Sequence, residues 1–304
     1  MNNSYDCIIV GGGIAGLQAS IQLGRYNHNV LVIDSNDGRS SICRSYHNIL
    51  GYPEGVSGDT LRRIGQAHAE NYGVNFTLDT VTEASKNKDL ITLICKSGRG
   101  YKTKRVLLAT GVMDRIPDIA NIMPCLGISV YVCPDCDGYE VKDKTVIVLG
   151  AGSTGANLAL TLTFWTSNIT YINHDGRDID ENLRMKLDKK DIRYLKEGIS
   201  EVVTGKDPSQ FSGVKLKSGE TIEGDRGFIA FGGNEVRTDL ATQLGVERLE
   251  NKHLNLNFRT KETNIENVWA AGDILPHSEQ VTIAMGDGMQ AAIWIHKSII
   301  KNSN

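Results

Sequence analysis

The sequence predicts an α/β fold in which two parallel-sheet units are each wound around a glycine-rich turn. Three observations carry this. A strand–turn–helix pattern with one glycine spacing occurs twice. An apolar strand closed by glycine follows late in each half, and 304 residues exceed what one core usually supports.

In the first half the strand Cys7-Ile8-Ile9-Val10 runs into Gly11-Gly12-Gly13-Ile14-Ala15-Gly16, after which Leu and Ala recur three or four residues apart, as on one helix face. In the second, Val146-Ile147-Val148-Leu149 runs into Gly150-Ala151-Gly152-Ser153-Thr154-Gly155 and another helical pattern. Each copy is Gly-x-Gly-x-x-Gly in the strand–turn–helix setting of a Rossmann dinucleotide fingerprint. The first glycine permits the tight turn, the second lets backbone approach a pyrophosphate, and the third lets helix pack close on strand. The pyrophosphate then rests on the positive helix N-terminus. A single copy is a weak signal that a chance glycine turn can imitate; two copies in context are a strong one.

The next strand of the first unit, Asn29-Val30-Leu31-Val32-Ile33, ends in Asp34, whose carboxylate suits ribose hydroxyls. Its counterpart, Asn168-Ile169-Thr170-Tyr171-Ile172, ends in Asn173, followed by His174 and Asp175. A 2′-phosphate wants paired arginines. The first unit therefore reads as a complete dinucleotide site, and the second as intact at the phosphates and altered at the adenosine end. Later come Arg105-Val106-Leu107-Leu108-Ala109-Thr110-Gly111 and Gly227-Phe228-Ile229-Ala230-Phe231-Gly232, one late in each half. A β-rich stretch between the fingerprints includes Leu90-Ile91-Thr92-Leu93-Ile94-Cys95 and the turn Lys96-Ser97-Gly98. The charged runs Ser85–Asp89 and Lys186–Lys190 read as a solvated hairpin loop and a wet helix face.

Composition excludes several classes. Apolar content of 40% suffices for a packed interior, and 32 glycines exceed the usual share of about 7%. A net charge of −3 offers no basic surface for nucleic acid. No apolar run approaches the roughly 18 residues of a membrane helix. The start Met1-Asn2-Asn3-Ser4-Tyr5-Asp6 lacks the basic and apolar regions of an export signal, so a cytoplasmic location is expected. Six irregularly spaced cysteines in such a chain do not make a disulfide framework.

Cys133-Pro134-Asp135-Cys136 is the chemically telling stretch. Two cysteines two residues apart can close a small disulfide ring and exchange it with another thiol pair. The alternative is half of a zinc site. Zinc needs about four ligands, no second Cys-x-x-Cys or His-x-x-x-His exists, and Cys125 could add only one; no metal site is assigned. Cys7, Cys43 and Cys95 read as packing thiols, and His47 as a satisfied polar residue. Asp137-Gly138 is a favoured turn pair, and Asp137 directly follows a redox cysteine, where an acid can protonate a departing thiolate.

The C-terminal run Asn267-Val268-Trp269-Ala270-Ala271-Gly272-Asp273 is followed by Gln280-x-x-x-Ala284-x-Gly286-x-Gly288-x-x-Ala291-Ala292. With both fingerprints, Ala109-Thr110-Gly111, Asn48-x-x-Gly51-Tyr52-Pro53-Glu54-Gly55-Val56-Ser57-Gly58 and Cys133-x-x-Cys136-Asp137-Gly138, this resembles the low-molecular-weight thioredoxin reductases, in the right order over essentially the whole chain. The resemblance implies a discontinuous FAD-binding domain, 1–113 plus 235–304, and an inserted NAD(P)-binding-like domain, 114–234, that carries the cysteine pair. It implies a homodimer, and a rotation of the inserted domain during turnover. Gly11, Gly13, Ala15 and Gly16 would hold the FAD pyrophosphate, Asp34 the adenosine ribose and Asp273 the ribityl chain. Ser35, Gly38, Arg39, Asn48, Thr110, Gly111, Gly272 and Gln280 would complete the flavin set. The helix beginning near Gln280 would point its N-terminus at the flavin pyrimidine ring. Gly150, Gly152, Ser153, Thr154 and Gly155 would receive the second nucleotide. Cys136 resembles the flavin-facing cysteine, Cys133 the interchange cysteine and Asp137 the acid.

Three departures keep alternatives open. NADPH-using members carry His-Arg-Arg and a further Arg where this chain reads Asn173-His174-Asp175-Gly176-Arg177, so NADPH, NADH and ferredoxin all stand as electron donors. Where the family often has two aromatics that grip thioredoxin, this chain has Tyr139 and Glu140; the partner is a thioredoxin-like protein or a small disulfide. The string Cys-Pro-Asp-Cys-Asp-Gly-Tyr-Glu is closer to a side branch that includes dithiol oxidases. The leading expectation is a flavin-dependent disulfide reductase. Beside it stand a dithiol oxidase passing electrons to oxygen and a ferredoxin-dependent thioredoxin reductase. From another class comes a flavin-bearing sensor, against which the intact cysteine pair speaks.

Overall fold

The computed structural model describes residues 5–301. Met1–Ser4, part of the start read above for an export signal, lies outside the described residues. In chain order the first segments form β1 (Cys7–Val10), α1 (Ile14–Arg25), β2 (Val30–Asp34), α2 (Gly58–Glu70), β3 (Asn75–Leu78), β4 (Val81–Asn87), β5 (Leu90–Cys95), β6 (Gly100–Thr103), β7 (Val106–Leu108) and β8 (Val112–Met113). The middle forms α3 (Ile122–Cys125), β9 (Val130–Tyr131), α4 (Pro134–Asp137), β10 (Val146–Gly150), α5 (Gly152–Leu162), β11 (Ile169–Asn173), α6 (Glu181–Lys189), β12 (Arg193–Leu195), β13 (Ile199–Thr204), β14 (Phe211–Leu216), β15 (Thr221–Glu223) and β16 (Arg226–Ala230). The return forms β17 (Glu235–Val236), α7 (Asp239–Gln243), β18 (Val268–Ala270) and α8 (Val281–Lys301).

Two compact units result. The first comprises the chain through Ser41, Gly58–Met113 and the chain from Glu235 onward; the second comprises Ile42–Ser57 and Asp114–Asn234. The first is built on a five-stranded parallel sheet in the order β3-β2-β1-β7-β18, and the second on the order β12-β11-β10-β16-β9. In each, the chain leaves the fingerprint strand toward one edge and later returns on its other side. That reversal leaves a crevice at the carboxyl ends of the strands, where ligands of open α/β sheets bind. Each unit also carries a three-stranded antiparallel meander, β4-β5-β6 in one and β13-β14-β15 in the other.

The central strands read as unbroken apolar runs because both sheet faces are covered. In the first unit Ile8, Leu31 and Leu108 pack on one face, while Ile9, Val32, Leu107 and Trp269 pack on the other. Helices α1 and α8 cover that second face. They approach closely because position 288 has no side chain: a Cβ on Gly288 would lie 2.1 Å from the Ala15 carbonyl oxygen. The second unit repeats the plan, with Ile147, Leu149 and Ile229 on one face and Val146, Val148 and Phe228 on the other.

Two local expectations change. Residues 42–57, inside the span expected for the FAD domain, make their contacts with the second unit. Tyr46 bridges Val56, and Arg44 Nη1 donates to the Pro124 carbonyl at 3.0 Å. Gly127 makes this approach feasible, since a Cβ there would meet the Arg44 nitrogen at 2.7 Å. The charged run Ser85–Asp89 is mostly strand: β4 extends through Asn87, which pairs with Leu90 across a two-residue turn. No helix among the described residues is long and apolar enough to cross a membrane.

Candidate active site

In the first unit the glycine turn is held by backbone geometry. Gly11 has φ +105°, and a Cβ on it would meet the Ala109 carbonyl at 2.2 Å; one on Gly16 would meet the Gly11 carbonyl at 1.9 Å. Only glycine permits this strand-to-helix crossing. The Gly12 N–H donates to Asp34 Oδ1 at 2.8 Å, and Asp34 Oδ2 receives Arg62 Nη2 at 2.7 Å. No side chain caps α1 at Gly13, no carboxylate stands in its first turn, and the space where a Gly13 Cβ would project is open. An uncapped helix N-terminus facing open space, beside a carboxylate at the end of β2, fits the pyrophosphate and ribose of FAD.

Arg39 Nη1 sits 2.5 Å from Glu279 Oε2 and 3.4 Å from Asp273 Oδ2, which joins two expected flavin residues, Arg39 and Asp273. Ser35 donates to Asp37, and Thr110 donates to the Arg237 carbonyl. Gly38 accepts from Ser41 at the turn that holds Arg39, Gly111 accepts from the Arg237 N–H at 3.1 Å, and Gln280 accepts the first bond of α8, from Ala284. Asn48, expected in this set, lies in the 42–57 segment grouped with the second unit.

Beneath Gly272 lies a network that the motifs did not reveal. Asp287 accepts from His277 Nε2 at 2.6 Å, from Lys261 Nζ at 2.7 Å and from the Gly272 N–H at 3.2 Å. The Asp287 bond raises the His277 pKa against the effect of burial. For Asp287 burial pushes upward, yet the bonds from His277 and Lys261 outweigh it and hold the carboxyl below its usual value. Arg62 was missed as well. Both come from parts of the chain that only the fold brings together.

The second unit holds the cysteine pair. Cys133 and Cys136 form a disulfide, with Cα atoms 5.3 Å apart. Pro134 opens the single turn of α4, Cys133 Sγ caps it by accepting from the Cys136 N–H at 3.2 Å, and the Asp137 N–H donates to the Cys133 carbonyl at 3.0 Å. The pair is thus presented at the start of a helical turn. Asp137 is buried, and its carboxyl is pushed up to about 7 by desolvation and then by the charge of Glu140. The other four cysteines are free thiols. Burial pushes Cys7 up to about 12 and, with the charge of Asp137, Cys43 up to about 11; Cys95 and Cys125 are raised by burial too. A buried thiol is a poor nucleophile because the thiolate is suppressed.

Beside the pair, Gly138 lies against the Trp165 ring, and both Tyr139 and Phe164 are exposed. The second fingerprint sits at the start of α5, where Ala151 provides no side-chain cap and the Gly152 N–H donates to Asn173 Oδ1 at 3.0 Å. Gly150 ends β10 against Asn173, Gly155 packs on the Tyr171 ring, and Ser153 is exposed in the first turn of α5. A cavity of about 150 Å³ opens there, lined among others by Arg115, Thr154, Phe231 and Gly232.

The pyridine nucleotide-disulphide oxidoreductase family matches residues 5–288. The chain belongs to this family of FAD-dependent disulfide oxidoreductases. It is 27% identical to a thioredoxin reductase of Rickettsia felis over 97% of this chain and 98% of that protein. Among solved structures, HlmI superposes with a TM-score of 0.89 at 25% identity, covering all of this chain and 95% of the other. A putative thioredoxin reductase, TrxB, from Bacillus anthracis superposes with a TM-score of 0.85 at 27% identity, covering 99% of this chain and all of that one.

Proposed function

We propose that this protein is a thioredoxin-reductase-like enzyme in which Cys133 and Cys136 reduce the disulfide of a thioredoxin-like protein. The first unit is the FAD-binding domain and the second carries the nucleotide of the donor together with the redox pair. Bound FAD supplies a two-electron relay between a nicotinamide donor and the disulfide. Gly11, Gly13 and Gly16 would hold its pyrophosphate, Asp34 would orient the ribose, and Asp273 would take the ribityl chain.

The reduced pair does the exchange. Cys133 thiolate attacks one sulfur of the partner's disulfide; a mixed disulfide forms, and the partner's other sulfur leaves with a proton from Asp137. Cys136, which enters as the thiol, then attacks the Cys133 sulfur, re-forming the Cys133–Cys136 bond while its proton passes to the partner's second sulfur, which leaves as a thiol. The partner gains two electrons and two protons, and the pair returns to the disulfide. The observation that carries this is the disulfide beside a buried carboxyl whose pKa of about 7 matches a proton donor at neutral pH.

The names of the relatives favour the reductase direction over a dithiol oxidase. One disulfide beside four free thiols suits a reducing compartment, the cytoplasm, and a homodimer is the state that the resemblance carries. The test is turnover of thioredoxin disulfide by the FAD-loaded protein. Cys136→Ser should abolish turnover while leaving flavin content unchanged; turnover that survived this change would remove the mechanism.

A further inference from the structure

Asp175 occupies the adenosine end of the second nucleotide site, and the first unit provides its reference within the same chain. There Asp34, at the end of β2, performs two tasks. Its Oδ1 secures the glycine turn through the Gly12 N–H, and its carboxylate remains partly open to a ribose. In the second unit these tasks are separated.

Asn173, at the end of β11, secures the turn by accepting from the Gly152 N–H at 3.0 Å. Its Nδ2 donates to the Tyr194 hydroxyl at 3.0 Å and to the Arg177 carbonyl at 2.5 Å, and the residue is fully buried. Nothing of Asn173 remains for a nucleotide. His174 is engaged too: its Nδ1 accepts from the Ile199 N–H at 3.0 Å. The open carboxylate is that of Asp175, whose side chain is 21% exposed. Its Oδ2 pairs with Arg115 at 3.3 Å and Arg177 at 3.2 Å, and no protein donor among the described residues reaches Oδ1. Arg115 also lines the cavity at the start of α5 and lies over the Phe231 ring. Lys196, which follows β12 and whose Cε lies 3.9 Å from where a Gly176 Cβ would project, is paired with Asp178 at 2.6 Å.

We propose that Asp175 makes the second site selective for a dinucleotide lacking a 2′-phosphate, NADH over NADPH. Its Oδ1 reads the ribose hydroxyls while its Oδ2 keeps Arg115 and Arg177 in ion pairs. A 2′-phosphate arriving there meets the Asp175 carboxylate, whose charge opposes it and draws Arg115 and Arg177 toward itself, each through Nη2. This rests on the reading of the second unit as the donor's site.

The test is calorimetric titration of the oxidised, FAD-loaded protein with NAD+ and NADP+, which reads binding without turnover. The wild-type protein should bind NAD+ at least about tenfold more tightly. Asp175→Asn, or Asp175→Ser should the first variant not fold, should shift that ratio toward NADP+ by at least about tenfold, chiefly through tighter NADP+ binding. Adding Arg115→Ala and Arg177→Ala should remove the gain. Wild-type affinity for NADP+ equal to or above that for NAD+, binding of neither, or an unchanged ratio in the Asp175 variants would each overturn the proposal. Anaerobic bleaching of the flavin by dithiothreitol, blocked in Cys136→Ser, reads the disulfide chemistry without any nucleotide, so its failure is separable.

Discussion

At the scale of the residue, burial of Asp137 sets the sign of two pH effects. Its folded pKa of about 7 lies above the ordinary 3.8. The native state therefore holds the proton more tightly than the unfolded chain. The stability this contributes is full below the ordinary value and is lost as pH rises through about 7. The melting temperature should fall between pH 5 and pH 8, and Asp137→Asn should flatten that fall; parallel curves would acquit Asp137. Turnover should also decline above pH 7, since only the protonated carboxyl can donate, and Asp137→Asn should lower it by about 100-fold with flavin content unchanged. The suppressed thiols make a further prediction. In the oxidised native protein a thiol reagent should find no fast site at pH 8, and reduction should expose fast-reacting groups at Cys133 and Cys136. Rapid labelling of Cys7 or Cys95 before reduction would contradict the buried positions of both.

At the scale of the element, the two ends of the first glycine turn should respond differently to one methyl group. A Cβ on Gly16 has no room beside the Gly11 carbonyl, whereas one on Gly13 projects into open space. Gly16→Ala should therefore destabilise the protein by about 1–3 kcal/mol, since α1 must move off β1. Gly13→Ala should retain stability and lose flavin, because the methyl group fills the place of the pyrophosphate. Melting curves together with the flavin-to-protein absorbance ratio separate these outcomes; a stable, fully flavinated Gly13→Ala would mean that the cradle lies elsewhere. Helix α4 shows how little regular structure is needed to present a disulfide. One turn, begun by Pro134 and capped by Cys133, presents the pair.

At the scale of the whole molecule, one plan is built twice, and the two copies have diverged in what their second strand ends on. Each unit has its own sheet, meander and core. A defect in one should therefore spare the ligand of the other. A Cβ on Gly155 would lie 2.4 Å from the Tyr171 ring. Gly155→Ala should weaken dinucleotide binding in calorimetry while the flavin-to-protein ratio stays at the wild-type value. Loss of flavin in this variant would show that the units do not hold their ligands independently.

Both fingerprints, the strands feeding them and the cysteine pair were legible in the sequence because each is a local pattern. Strand, turn and helix follow one another within about twenty residues, and their spacing alone dictates backbone geometry. By itself the sequence determined the α/β class, the duplicated sheet plan and the close cysteine pair. Tertiary structure decided what each site residue meets. Arg62 reaches Asp34 across 28 positions and Arg115 reaches Asp175 across 60. Lys261, His277 and Asp287 converge beneath Gly272, and the segment 42–57 joins the second unit. Asp137 was expected to act as an acid from its place after Cys136, but its pKa of about 7 comes from burial and the charge of Glu140, and burial is not written in local spacing. Periodicity fixes which way a side chain points along its own element. Charge, solvation and ion pairing depend on what the rest of the chain places around it, and local spacing carries no record of that.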